Sequence, residues 1–172
     1  MRTSIIGMIV LLFCLISFRI HAQGYNPPRG YELVTAEDYA PYEPDVIAAA
    51  NWLISTPLNE QKDKRLEISA FVFKWINGSP NVFVEVFAPI MDFEKKNPGL
   101  LIVYMAGCAK YVLENNYTKD KLAIKTAGIN SIVKACSSGK GINKDKKIEE
   151  LLKNAEEGKL DAWIEKNISF KE

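Results

Sequence analysis

From residue 44 onward, hydrophobic residues recur every three or four positions, which is the spacing of one face of an α-helix. The predicted helices cover residues 44–55, 58–77, 98–116 and 119–136, with one more after Asn143 and a short last one around Trp163. We therefore expect a mainly α fold, a single-domain bundle of about six helices that occupies residues 44–170.

Helix boundaries are marked by residues that cap or stop helices. Asn97, Thr118 and Asn143 each precede a predicted helix, and their side chains are of the type that accepts a hydrogen bond from a first-turn N–H. Gly78 follows the helix predicted for residues 58–77, where a glycine is a common stop.

The predicted helix 58–77 carries apolar residues on more than one face. Leu66, Ala70, Phe73 and either Ile76 or Asn77 form one stripe. Phe71, Phe73 and Trp75 cannot share a single face, because alternate residues of a helix point in nearly opposite directions. At least one of these aromatic residues should therefore reach a second surface.

Residues 82–87 are ambiguous. Their sequence, VFVEVF, is β-branched and aromatic, which favours a strand. A single strand has no predicted partner here, and Pro89 ends the run. We expect a helix or an irregular buried segment at this point, and a short strand remains the alternative in an otherwise helical domain.

Residues 23–43 form a leading segment rich in proline and tyrosine. Proline disfavours helix at the residue before it, so an extended course is expected. The tyrosines suggest that the segment lies against the domain, while a linker without fixed structure remains the alternative for residues 23–30.

The N-terminus has the organisation of a secretory signal peptide. Arg2 precedes an apolar run from Ile5 to Phe18, and Ala22 supplies the small residue that a signal peptidase requires. The run is shorter than the roughly 20 apolar residues of a membrane span. We expect cleavage after residue 22, export to the periplasm or the medium, and no stable membrane span in the mature chain.

Cleavage after Ala22 would remove His21, the only histidine of the chain. Ser-His-Asp and Cys-His catalysis need imidazole as a base, and zinc hydrolases almost always use it as a ligand. The sequence also lacks a Cys-x-x-Cys motif and a glycine-rich phosphate loop. These absences favour a protein that is not an enzyme, and we predict no catalytic residue, no metal site and no cofactor.

Cys108 and Cys136 would remain after cleavage. If helices 98–116 and 119–136 form a hairpin, Cys108 lies opposite about residue 127, which leaves Cys136 roughly 13 Å away along the helix axis. A disulfide needs Cα atoms within about 7 Å, so two buried free thiols are favoured. The small residues 106–109 indicate close contact between helices.

Lysines are concentrated in one part of the chain. The whole chain carries a net charge of only +1, which argues against a nucleic-acid-binding protein. Residues 117–148, however, hold eight lysines and two aspartates and no arginine. This composition is typical of a solvated face or of a surface that steers a protein partner. The predicted partner-binding residues are Lys119, Lys121, Lys125, Lys134 and Trp75.

Two alternatives to protein binding remain open. An apolar pocket lined by Phe73, Phe83, Phe87 and Tyr104 would indicate a small-molecule or lipid binder.

The other alternative is a glycan hydrolase that uses two carboxylates. Glu85 lies in an apolar stretch, where burial would raise its pKa as a general acid requires. Asp92 and Glu94 are close to each other in sequence.

Three stretches resemble those of small exported bacterial proteins that have no assigned function. They are KWINGSPNVFVEV, NPGLLIVYMAGCAKYVLENN and KDKLAIKTAGINSIV, within residues 60–135. The resemblance implies export from a bacterial cytoplasm and assigns no site. Together the patterns predict an exported, non-catalytic helical protein that binds another protein, in an accessory or inhibitor-like role.

Overall fold

The computed structural model describes residues 24–168, so the predicted signal peptide of residues 1–22 lies outside the described part of the chain. Within that part the protein has seven α-helices and two short 3-10 turns, and no strand. The helices are α1 (Glu43–Ser55), α2 (Lys62–Gly78), α3 (Ala88–Lys96), α4 (Leu100–Glu114), α5 (Lys121–Cys136), α6 (Lys146–Glu156) and α7 (Leu160–Asn167), and the turns are Ala36–Asp38 and Ala40–Tyr42. The predicted mainly α bundle is confirmed.

The helix that the sequence analysis missed is α3. The sequence predicts that Pro89 ends the segment before it. In the structure, Pro89 lies in the first turn of α3. Proline is tolerated there because first-turn N–H groups have no partner within the helix. Residues 82–87 before it are irregular, so of the helix, strand and irregular segment that were left open, the irregular segment is the one adopted.

Helices α5 and α6 start about two residues later than predicted, because other side chains cap them. Asp120, not Thr118, caps α5 and accepts a hydrogen bond from a first-turn N–H at 3.0 Å. Asp145, not Asn143, does the same for α6 at 3.0 Å. The N–H of Asn143 instead donates to the side-chain oxygen of buried Asn97 at 2.6 Å, which ties the two loops together.

Helix α4 lies at the centre of the bundle. Of its 15 residues, nine are buried, and it packs against α1, α2, α3 and α5. A helix that is apolar over most of its circumference must be covered over most of it. The largest side chains that are fully buried around and within it include Trp52, Phe71, Trp75, Phe93 and Tyr104. No helix in residues 24–168 is long and apolar enough to cross a membrane.

Helices α4 and α5 pair as a hairpin in very close contact. A Cβ placed on Gly107 would lie 2.6 Å from Cβ of Ser131, and one on Gly128 would lie 2.5 Å from Sγ of Cys108. Atoms of folded proteins do not approach so closely, so only glycine fits at these two positions. The close helix contact predicted from the small residues of α4 is confirmed.

The hairpin keeps the two cysteines apart. Cys108 faces Gly128, next to the expected residue 127, while Cys136 is the last residue of α5. Both are buried free thiols, as predicted. Burial raises the pKa of Cys108 to about 12 and that of Cys136 to about 11, so neither is a ready thiolate nucleophile.

The leading segment lies against the helices from residue 24 onward. Tyr31 packs edge-on against Phe71, with ring centroids 5.1 Å apart. Tyr39 is buried, and its carbonyl oxygen accepts a hydrogen bond from the indole N–H of Trp75 at 3.0 Å. The 3-10 turns interrupt the extended course that was predicted, but the expected packing of the tyrosines is confirmed.

Helix α2 buries the face opposite its predicted apolar stripe. Leu66, Ala70, Phe73 and Asn77 are all exposed, Leu66 at 72% and Phe73 at 51% of its surface. The buried side carries Ile68, Phe71, Val72, Trp75 and Ile76. Both sides of this helix are apolar, and the side with two large aromatic rings is the one that packs into the core.

Replacing Gly107 with alanine is expected to destabilise the fold by about 1–3 kcal/mol, because the added methyl group overpacks the α4–α5 contact. By helix propensity alone, alanine would be more favourable than glycine by about 1 kcal/mol. A lower free energy of unfolding in the variant therefore reports the packing effect. Urea unfolding of the wild type, Gly107→Ala, Ser131→Gly and the double variant measures it. In the Ser131→Gly background the loss should vanish; an equal loss in both backgrounds would contradict the contact.

Candidate functional site

A pocket of about 310 Å³ opens between helices α4 and α5 and the irregular residues 79–87, which we call the connecting segment. Its floor is formed by Tyr104, Val112 and Ile124, which belong to the two helices. Its rim is formed by Asn81, Phe83, Glu85, Lys119 and Lys121, and the buried Lys125 also lines it. The site therefore combines an apolar floor with lysine side chains and one carboxylate.

The connecting segment is held in place by side chains instead of a sheet. Ser79 ends α2, and its hydroxyl oxygen accepts a hydrogen bond from the N–H of Val82 at 3.3 Å. The hydroxyl of Tyr104 donates to the carbonyl oxygen of Glu85 at 3.0 Å. Val82 is buried between these anchors, and Phe83 next to it points outward with 69% of its surface exposed.

Two lysines of α5 bind the carboxylate of Glu85. The Nζ atoms of Lys121 and Lys125 lie 3.2 and 2.9 Å from its two oxygens. These lysines are four residues apart, so they lie on the same side of the helix. The side chain of Lys125 is only 5% exposed, and its Nζ also lies 4.3 Å from the centroid of the Phe87 ring.

The lysines give Glu85 a character opposite to the one predicted. The hydrogen bond from Lys125, followed by that from Lys121, holds the pKa of Glu85 below its ordinary value. The expectation that burial raises this pKa is therefore wrong, because Glu85 is exposed and paired with cations. A carboxyl that stays ionised is poorly suited to act as a general acid.

The other candidate carboxylates also have structural partners. Asp92 pairs with Lys147 at 2.6 Å, and this hydrogen bond lowers the pKa of Asp92. Glu94 accepts a hydrogen bond from the N–H of Leu101 at 2.8 Å, at the start of α4. Within residues 24–168, no group of three or more histidine, cysteine or acidic side chains is placed to hold a metal ion.

Lys119 fixes the outer edge of the pocket. Its Nζ donates to the carbonyl oxygen of Asn81 at 3.1 Å and lies 5.3 Å from the centroid of the Phe83 ring. It makes no salt bridge with another described residue. Among residues 24–168, its ammonium group therefore contacts a carbonyl dipole and an aromatic face in place of a carboxylate.

Three of the five predicted partner-binding residues, Lys119, Lys121 and Lys125, meet at this pocket. Lys134 lies elsewhere, on a shallow groove between α1, α4 and α5. The prediction that Trp75 binds a partner at the surface is wrong. Its side chain is fully buried, and its indole N–H donates to the carbonyl oxygen of Tyr39.

Two of the four aromatic residues predicted for an apolar pocket, Phe83 and Tyr104, line this one. No sequence pattern indicated that Asn81 lines the pocket or that Glu85 pairs with lysines. The i, i+4 spacing of Lys121 and Lys125 was the available signal, but the carboxylate that they bind comes from a distant part of the chain.

Comparisons of the chain with protein-family models, with curated proteins and with solved structures give no match.

Replacing Lys125 with methionine is expected to raise the pKa of Glu85 more than Lys121→Met does, because Lys125 makes the larger contribution. NMR titration of the Glu85 carboxyl carbon measures both values. A pKa that is lowered in the folded state stabilises the fold above the unfolded-state pKa. That contribution is lost as the pH falls through the folded-state pKa. Equal pKa values in the two variants would contradict this assignment.

Proposed function

We propose that this protein is a non-catalytic binding module of the periplasm or the extracellular space. In this proposal its pocket receives an apolar side chain and a neighbouring carboxylate of another protein. The observation that carries the proposal is the position of the exposed Phe83 at the mouth of a lysine-rimmed pocket. Aromatic residues, phenylalanine among them, are enriched in protein interfaces relative to the rest of the surface.

The apolar part of the ligand is inferred from the floor. Tyr104, Val112 and Ile124 present mostly carbon atoms, and burying them against an aliphatic or aromatic side chain removes apolar surface from water. The Tyr104 hydroxyl is already used by the carbonyl of Glu85, so the floor offers few unsatisfied polar groups.

The carboxylate of the ligand is inferred from the rim. Lys121 and Lys125 bind the internal carboxylate of Glu85, and Lys119 adds a positive charge that makes no salt bridge with a described residue. Lys119 is the site that we assign to the carboxylate of the partner, since its other contacts are a carbonyl oxygen and an aromatic ring. A charged hydrogen bond to a carboxylate is stronger than one to a carbonyl.

A protein is favoured over a small molecule by the apolar surface outside the pocket. Val86 and Leu122, which flank the rim in sequence, are exposed together with Phe83. A small molecule in the pocket would leave these side chains in water, whereas the surface of a partner would cover them.

A small amphiphilic anion is the second candidate, and the pocket volume is the observation that favours it. About 310 Å³ lies at the lower end of the range of small-molecule sites, roughly 300–1,000 Å³. Its carboxylate would meet the same lysines, so the chemistry of recognition is shared and only the source differs.

Site-specific crosslinking separates the two candidates. A photoreactive phenylalanine analogue at position 83, in protein expressed in its native host, is expected to form a discrete adduct with one envelope protein. The control is the same analogue at Val34, which is also highly exposed but lies outside the pocket. Adducts of equal pattern from both positions would contradict the protein-binding proposal. Native mass spectrometry showing a bound small molecule and no protein would favour the second candidate.

Once the partner is identified, Phe83→Ala is expected to weaken its binding at least about tenfold, because truncating a central aromatic anchor costs more than about 1.4 kcal/mol. Lys119→Met should weaken binding mainly at low salt, where the charge interaction is least screened. Val34→Ala is the matched control and should leave the affinity unchanged. Calorimetric titration measures all three, and an unchanged affinity of Phe83→Ala would rule out the pocket as the interface.

A further inference from the structure

Helix α2 presents an apolar stripe to solvent that no described part of the chain covers. Leu66, Ala70, Phe73 and Asn77 recur at intervals of three or four residues and are exposed together. These residues share no member with the lining of the pocket. The stripe is therefore a second surface, separate from the candidate site.

The charges beside the stripe are arranged in a particular order. Asp63 and Glu67 lie in the first half of α2, and Lys74 lies in its second half, all on the same edge of the stripe and all exposed. An antiparallel second copy of α2 reverses this order. Its basic half would then lie against the acidic half of the first copy, so the edge is complementary to itself.

We propose that this face binds a second copy of the chain, through an antiparallel α2–α2 contact with a two-fold axis at Ala70. In this register Glu67 of each copy meets Lys74 of the other, and Leu66 packs against Phe73. The small side chain of Ala70 lets the two helices approach closely at the axis. Such an isologous contact closes on itself and gives a dimer, not a filament.

The leading segment shapes one edge of this face. Pro27, Pro28 and Arg29 border a shallow trough next to Glu67 and Ala70, and the Nζ of Lys74 lies 5.0 Å from the ring centroid of Tyr31. The second copy would therefore contact both α2 and the leading segment.

The size of the face sets the strength of the dimer. A helix of 17 residues is roughly 25 Å long, and a contact through one of its faces belongs to the small interfaces, below the ~800 Å² per partner of a standard one. The dimer should therefore be weak, with a dissociation constant between about 1 μM and 1 mM. It forms where the protein is concentrated or held by a common partner.

Charge reversal tests the proposed register. The protein is purified after export, its N-terminus is defined by intact mass, and sedimentation equilibrium is measured from about 10 μM to 1 mM. Glu67→Lys and Lys74→Glu, each alone, place like charges together and should weaken the dimer at least about tenfold. The double variant restores the pairing and should return to within about threefold of the wild type. A wild-type chain that stays monomeric at ~1 mM overturns the proposal, as does a double variant no better than the singles.

Disulfide trapping tests the axis. Ala70→Cys places two thiols at the two-fold axis, where oxidation should link the copies readily. Leu66→Cys is the matched control, since position 66 is also exposed. The Cα atoms of the two copies of residue 66 would be about 12 Å apart along the antiparallel helices, beyond the ~7 Å limit of a disulfide. Cys108 and Cys136 are buried and should not compete. Equal trapping at positions 66 and 70 would refute this axis.

Discussion

The burial of most of α4 is the constraint on which the rest of the structure depends. Nine of its 15 residues are buried and its few polar groups, such as Lys110 and Glu114, lie near one end, so the other helices must cover most of its surface. Gly107 and Gly128 let α5 come close enough to do so. That approach fixes the position of Lys121 and Lys125 relative to Tyr104, and hence the floor and one wall of the pocket. The site is thus a consequence of how the central helix is covered.

The connecting segment combines irregular backbone with exposed side chains. Its residues have strand-like sequence but no strand to pair with in residues 24–168, and the side chains of Ser79, Tyr104 and Lys119 bond three of its backbone groups. Val82 anchors it in the core, and the alternation of an extended chain then turns Phe83 outward. An exposed aromatic ring is therefore built into the way the segment is held, and rigid helices position it as they position functional loops in other proteins.

The spacing of apolar residues predicted where most helices lie, but not which of their faces are buried or which segments they contact. The spacing of apolar residues identified α1, α2, α4, α5, α6 and α7, and the hairpin geometry identified the free thiols. The pattern could not show which side of α2 is buried, because both sides are apolar and the choice depends on the fit against α1 and α4. For the same reason the pattern did not show that Trp75 is buried and that Phe73 is the exposed aromatic residue of that helix. Lys119, Lys121 and Lys125 were identified by composition alone, whereas their common partner segment became visible only in three dimensions.

The pocket and the α2 stripe have no residue in common, yet one structural unit supports both. Helix α2 carries the stripe on its outer face and leads through Ser79 directly into the connecting segment, and the bond from Trp75 to Tyr39 fixes its C-terminal end. A dimer formed through the stripe leaves both pockets free of the contact, since their lining comes from α4, α5 and the connecting segment. Two linked pockets raise the apparent affinity only for a partner that is itself multivalent or confined to a surface, and they leave the affinity for a monomeric ligand unchanged. A dimer of this kind would therefore favour partners that present several copies of the recognised group, because only such partners occupy both pockets at once. A single pocket does not discriminate in this way.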